Sequence, residues 1–384
     1  MNMNKTVDIF IALLRSAITG IKEEIDLSDL NWETLYSLAK YHDLAHIIYY
    51  EIKRRYALGE GVIVRKLKNQ FDMAIYRHVK RELAISEVRE TLNGAQIPFI
   101  LLKGTYIMGL YPEPWMRTSS DIDVLVKPED HKKAIYALKK TGMVVTSETD
   151  HDVSLFTKEQ YHIELHFLLI DNNDMPKTIE ILDKVWQYTT SVDGSFEREL
   201  NDEMLYFYHL AHMAKHIKKG GCGVRYFVDL WLLNHKKRFD TKKRQMLIES
   251  SELKTFANQA NRLSEKWFTV NSEQTYLEGF EDFIVCGGLY GSIEHGVTIR
   301  NKKSNNRLVY YLQRVFLPYD TIKYAYPILK KCPILLPFFW IVRLFKLFDP
   351  KVRKKALKEI DVEKTIEKKE SNRIEKLLKD LEIW

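Results

Sequence analysis

Between residues 98 and 126 two short apolar runs break an otherwise helical pattern, and this break restricts the possible folds more than any other feature of the chain. After Pro98, Phe99-Ile100-Leu101-Leu102 is too compact for a helix and reads as a strand. It runs into Lys103-Gly104 and a short helical segment that Pro112 and Pro114 terminate. Asp121-Ile122-Asp123-Val124-Leu125-Val126 is then a second strand, apolar at the end that would enter a buried sheet. A helix from about residue 128 to Lys140 stops at Gly142, and three further strands are expected at 143–146, 153–157 and 161–168. The expectation is a small mixed sheet over residues 95 to 170, with helices on one side.

Helical periodicity surrounds this unit. Asp29 precedes a first turn in which Leu35, Leu38, Leu44, Ile47 and Ile48 recur at three and four, and a long helix from about Val62 ends at Asn93-Gly94. The same period returns from about Ile179. The chain therefore reads as an α+β protein in which a small mixed β-sheet core is flanked by N-terminal and C-terminal helical modules. Expected segments are 1–94, 95–175, 176–298 and a basic, partly apolar helical extension over 299–384. A length of 384 residues is more than one core usually organises.

Cys222, Cys286 and Cys332 are odd in number and far apart, so neither a disulfide framework nor a CxxC metal knuckle is expected. The first twenty residues carry Asp8 and Arg15 around a short apolar run, without a small-residue cleavage site. The expected compartment is cytoplasmic, with a membrane-peripheral position open to the C-terminal part. From Arg300 onward, 21 Lys and Arg face 10 Asp and Glu, so the net charge of +7 is a C-terminal property and the remainder is slightly acidic. Pro333 to Phe348 is strongly apolar but interrupted by Pro337, Arg343 and Lys346, too short and charged for a membrane span. Lys351 to Leu381 is charged, helical or partly disordered. Such an extension suits an anionic membrane, a protein partner or simply a solvated face. The front half has no basic excess and no nucleic-acid module, so nucleic acid is not favoured as a partner.

In a strand, side chains two apart share a face, so Asp121 and Asp123 project together. Adjacent carboxylates repel unless a cation lies between them, and Mg²⁺ or Mn²⁺ held by one or two carboxylates together with substrate phosphates is the natural occupant. Lys103, Gly104 and Thr105 lie where a helix start and a close backbone approach would favour an anion, and Arg117 could add a two-pronged contact to the same phosphates. The strand around residue 164 puts His162, Glu164 and His166 on one face, which makes Glu164 the candidate third acid. Taken singly, each of these residues is as readily a surface cation or an exposed strand acid.

Strand, Lys-Gly, helix, Arg, Asp-x-Asp strand and a later Glu-Leu-His occur in an order that resembles the uncharacterised bacterial nucleotidyltransferase family of the polymerase-beta-like superfamily. The resemblance rests on residues 101–105, 117–126, 163–167 and 209–216 and extends over roughly 30 to 235. It implies an NTP substrate, an unidentified acceptor, and a two-metal site in which Asp121 and Asp123 hold Mg²⁺ and Glu164 completes the carboxylate set. The superfamily usually has Gly-Ser or Gly-Gly where this chain has Lys103-Gly104-Thr105, so its phosphate loop is atypical.

His209, His212 and His216 share a helix face, with Arg225 and Asp229 on the next helix. Three such histidines span about 10 Å at roughly 1.5 Å per residue, too far to ligate one ion. The matching helices of the resembling family favour a place lining the active-site cleft, with structural hydrogen bonding or a zinc contact as the alternatives. The competing readings are a sugar-nucleotide-dependent glycosyltransferase, which also uses Asp-x-Asp, and a non-catalytic binding or membrane-peripheral protein on the same fold.

Overall fold

The computed structural model describes residues 3–56, 59, 61–169, 175–289, 291–303, 316–326, 328–345, 353–354 and 368–384. Phe99–Leu101 (β1) is buried at every position, as expected of a strand covered on both faces. It pairs antiparallel with Asp121–Val126 (β2). Val144–Glu148 (β3), Asp152–Phe156 (β4) and His162–His166 (β5) complete a sheet of order β1-β2-β5-β4-β3, in which β2 and β5 run parallel. A parallel pair needs a long crossover, and residues 127–161, with their helix and two intervening strands, supply it.

Met3–Thr19 (α1), Trp32–Tyr41 (α2), Ala45–Arg55 (α3) and Val62–Gly94 (α4) precede the sheet. The side chain that caps α2 is Asn31, which accepts from the Thr34 amide, rather than the expected Asp29. Lys103–Met108 (α5) and His131–Lys140 (α6) lie within the sheet region, and Pro176–Leu182 (α7) follows it. Asp202–Lys219 (α8), Val224–Lys236 (α9), Thr241–Glu249 (α10), Lys254–Phe268 (α11), Phe280–Gly287 (α12) and Ile293–Lys303 (α13) come next.

The two-residue alternation of β2 decides where the site lies. Ile122, Val124 and Val126 are fully buried with Ile85, Val88 and Leu92 of α4 and Ala134 and Leu138 of α6. Burying each such large aliphatic side chain contributes about 1.5–3 kcal/mol. Asp121 and Asp123 consequently face the other way, where Leu125 on the same face joins a second core with Met204, Tyr208 and the N-terminal helices. Helices thus cover both faces of the sheet at β1 and β2, where one covered side was expected. The second core runs continuously from α1, α2 and α3 to α8, α9 and α11.

One element escaped the sequence reading. Thr189–Ser191 (β6) and Arg198–Leu200 (β7) form a hairpin in a stretch read as helical, and three-residue strands carry too little periodicity to register. Its turn signal was present in Asp193-Gly194, with Gly194 at φ 69°. At the C-terminus, Lys368–Asp380 is a helix that buries Ile374, Leu377 and Leu378 in the second core, so this part of the charged segment is packed. Leu336–Phe345 is helical, whereas residues 346–348 of the apolar run and 351–352 and 355–367 of the charged segment lie outside the described residues. Among the described residues no helix is long and apolar enough to cross a membrane.

Candidate functional site

The parallel register sets Asp121 opposite His162 and Asp123 opposite Glu164. Strands in a sheet are about 4.8 Å apart, so carboxylates that share a face in adjacent strands converge. The ligand atoms of Asp121, His162 and Glu164 all lie within 4.8 Å of one another, as do those of Asp123, Glu164 and His166. Three carboxylates offer hard oxygen donors of the kind Mg²⁺ and Mn²⁺ prefer, and two imidazoles flank them. The residues present therefore fit a divalent cation.

His166 holds two of these acids together. Its Nε2 is 3.1 Å from Asp123 Oδ1 and 3.5 Å from Glu164 Oε2. Burial opposes the charge on His166, but the hydrogen bonds to Asp123 and Glu164 outweigh it and lift its pKa to about 9. Asp121 is anchored separately, accepting from Ser119 Oγ at 2.7 Å. Tyr208 of α8, which sequence reasoning did not single out, faces this cluster. Burial first, and then the charges of Asp123 and Glu164, raise its phenol well above the ordinary value.

The loop that leads into β2 is fixed from three directions. Arg117 is fully enclosed and pairs edge-on with Asp229 of α9, its Nε and Nη2 donating at 2.9–3.1 Å. Asp229 also accepts from Tyr111 Oη at 2.7 Å. The fork expected to grip phosphates is thus engaged within the protein. Thr118 donates to Asp43 at 2.5 Å, and Arg225 donates both to Asp43 and to the Thr118 carbonyl. Tyr161 Oη donates to the Ser119 carbonyl at 3.1 Å. Arg225 and Asp229 therefore act from behind the cleft, as supports of the 117–120 loop rather than as its lining.

Lys103 opens α5, a helix of six residues. Gly104 lets the Arg81 and Arg117 guanidinium groups come close, since a Cβ there would lie 2.9 Å from Arg81 Nη2 and 3.2 Å from Arg117 Nη1. Thr105 Oγ1 accepts from Arg81 Nη2 over 3.4 Å, a long contact. Arg81, on α4, is a charged residue of this region that sequence reasoning missed, because a cation within a long helix reads as solvated.

The expected histidine helix divides into two parts. His209 is fully buried and bonds through Nε2 to the Tyr226 carbonyl at 2.9 Å, which makes it a tie between α8 and α9 instead of a cleft residue. His212 and His216 lie together, Nε2 to Nε2 at 3.2 Å, against the Tyr226 ring. In front of the 117–120 loop a cleft of about 940 Å³ is walled by Tyr36, Tyr41, Arg77, Ser119, Tyr161 and His162, among others. It meets the carboxylate cluster at Ser119 and His162.

A family model described as uncharacterised nucleotidyltransferase matches residues 28–269, and the chain belongs to that family. The match spans α2 to α4, the sheet and α8 to α11, and so includes every residue of the site. No curated protein and no solved structure matches the chain. Membership carries nucleotidyl transfer as the general chemistry.

Proposed function

We propose that this member of the uncharacterised nucleotidyltransferase family moves a nucleoside monophosphate from an NTP to a hydroxyl or phosphate acceptor, with release of pyrophosphate. The observation that carries this reading is the β2–β5 register, which aligns Asp121, Asp123 and Glu164 on one face and gives two donor sets that share Glu164, one with Asp121 and His162 and one with Asp123 and His166.

In this reading Asp121, Asp123 and Glu164 hold Mg²⁺ or Mn²⁺, which when bound offsets charge on the triphosphate and on the attacking and leaving oxygens. Ser119 keeps the Asp121 carboxylate turned toward the cluster, and His166 does the same for Asp123 and Glu164. The acceptor oxygen attacks the α-phosphorus while the bond to the bridging oxygen of pyrophosphate breaks in line. Glu164, the most exposed of the residues His166 contacts at 30 %, takes the acceptor proton. Lys103, Gly104 and Thr105 form the adjoining end of β1 and α5, tied to the site by the Leu102 amide donating to the Asp123 carbonyl at 2.9 Å. The sheet segment 95–175 carries the chemistry, and the helical segments 1–94 and 176–298 form the walls around it.

The C-terminal extension adds a membrane-peripheral contact to this reading. Ile334, Phe338 and Ile341 are 84 %, 58 % and 54 % exposed on a segment with a marked basic excess. Apolar side chains beside basic ones suit an anionic bilayer surface.

The deciding experiment is a thermal-shift panel of ATP, GTP, CTP and UTP with Mg²⁺ or Mn²⁺, on wild type and the Asp121→Asn/Asp123→Asn double variant. At 100 times its dissociation constant a ligand stabilises by about 2.7 kcal/mol. Metal-dependent stabilisation of wild type alone supports the reading and identifies the base. Equal responses of both proteins overturn the site assignment.

A further inference from the structure

Arg77 and Arg81 stand one turn apart on α4 and so share a helix face. With Arg117, Thr118, Ser119 and Tyr161 they wall a recess of about 10 Å³, room for about one water. Arg77, Thr118, Ser119 and Tyr161 also wall the large cleft, so the recess adjoins it.

Arg81 is 2 % exposed, and its Nε and Nη1 have no hydrogen-bond partner among the described residues. Among the described residues its remaining nitrogen, Nη2, reaches only Thr105, over 3.4 Å. No carboxylate among the described residues forms an ion pair with it, and Arg117 lies close enough to repel it. Burial and then that repulsion bring its pKa down to about 10. Leaving a guanidinium buried with idle donors is costly. A fold that keeps one at the edge of a reaction cleft is poised for an anion from outside. Among the described residues of the cleft wall, Lys40, Arg77 and Lys80 face one carboxylate, Asp43, which Arg225 and Thr118 already hold.

We infer that Arg77 and Arg81 form an oxyanion site that binds a phosphate group of a substrate. The recess is too small for phosphate, so the anion sits on its cleft side, where Arg77 contacts it directly and Arg81 reaches it across one bridging water. The inference rests on the nucleotidyl-transfer reading for its ligand class, since both the NTP and a phosphorylated acceptor carry such a group. It does not depend on the metal.

Inorganic tripolyphosphate, added with a chelator so that no metal contributes, is the probe. Wild type and the Asp121→Asn/Asp123→Asn variant should both gain several degrees in Tm, because removing carboxylates does not weaken an arginine site. Arg77→Met, at an exposed position, and Arg81→Met should each weaken tripolyphosphate binding at least tenfold. Unliganded Arg81→Met should melt no lower than wild type, since it sheds an uncompensated buried charge; a structural tie to Thr105 would instead lower its Tm. If Arg81→Met does not fold, that result counts against the inference, and Arg77→Met still tests the anion contact. No shift in wild type, or equal shifts in wild type and both arginine variants, overturns the site. Competition by Mg-ATP assigns the phosphate to the nucleotide, and additive binding assigns it to the acceptor; either supports the site. A failed metal reading would appear as unchanged Mn²⁺ responses in the aspartate variants, with tripolyphosphate binding intact.

Discussion

Arg117 and Asp229, 112 residues apart in sequence, form an edge-on ion pair with both side chains essentially out of solvent, at 3 % and 0 % exposure. Burial opposes the charge on Asp229, and Arg117 reverses that and holds the carboxyl below its ordinary pKa. This pair fixes the approach to β2 against α9 and so bears on where Asp121 points.

Breaking the pair should be expensive. Arg117→Met leaves Asp229 buried with Tyr111 as its remaining donor, and such losses cost about 3–5 kcal/mol. Arg117→Met/Asp229→Leu should recover a large part of that, because neither charge is then stranded. Urea denaturation of the two variants and wild type measures both steps; a double variant no better than the single would contradict this account.

Neutralising one of the clustered acids should weaken both metal binding and the contact that His166 makes in the metal-free fold. Asp123→Asn relieves repulsion from Asp121 and Glu164 but takes from His166 the carboxylate that does most to keep it charged, so the metal-free protein should melt below the wild-type temperature near pH 7. Its Mn²⁺ affinity should fall at least tenfold. Titration calorimetry together with a melting curve in chelator tests the pair of effects, and unchanged Mn²⁺ affinity would remove Asp123 from the ligand set.

Asp43 carries both a backbone and an electrostatic role. Its φ of 56° lies in the left-handed region, which Asp and Asn tolerate and Ala does not. Asp43→Asn keeps that tolerance and an acceptor for Thr118 and Arg225. Asp43→Ala should be less stable than Asp43→Asn by about 1–2 kcal/mol. Equal denaturation midpoints and slopes for the two variants would refute the backbone part of the argument.

Acid should destabilise the fold through buried histidines. His42 accepts from the Val224 amide at Nδ1 and bonds the Val285 carbonyl through Nε2. Burial, only partly offset by the Val285 contact, brings its pKa from 6.5 down to about 4. Between those values the unfolded chain binds the proton and the folded one does not. Stability is therefore complete above about pH 6.5 and falls toward pH 4, by on the order of 3 kcal/mol from this residue. His46 and His295 are shifted the same way by burial. His42→Gln should flatten, without abolishing, the slope of unfolding free energy against pH in that window; denaturant titrations at pH 7, 6 and 5 measure it.

Membrane contact through the C-terminal extension is testable by sedimentation with vesicles rich in anionic lipid. Ile334→Ser/Phe338→Ser/Ile341→Ser should reduce pelleting, and high salt should reduce it for wild type. Negligible pelleting of wild type would discard that contact.

Local pattern placed the candidate site residues on shared faces. Alternation along 121–126 and along 162–166 was enough to pick out Asp121, Asp123, Glu164 and His166 as side chains of shared strand faces, because a two-residue period is a property of the strand itself. The same locality explains why the sheet core and the long helix over 62–94 were legible, while the β6–β7 hairpin was not. What the residues meet across the fold was decided elsewhere. Only the parallel pairing of β2 with β5 brings Glu164 beside Asp123, and only the packing of α9 behind the 117–120 loop turns Arg117 inward to Asp229 and away from a phosphate. Arg81 is the clearest case. Nothing in its neighbours along the chain distinguishes it from the many solvated cations of a long helix, and its burial exists only once α4 is laid against the Gly104 turn. Side-chain period follows from backbone geometry within a few residues, whereas burial and ionic partnership follow from which distant segments come together.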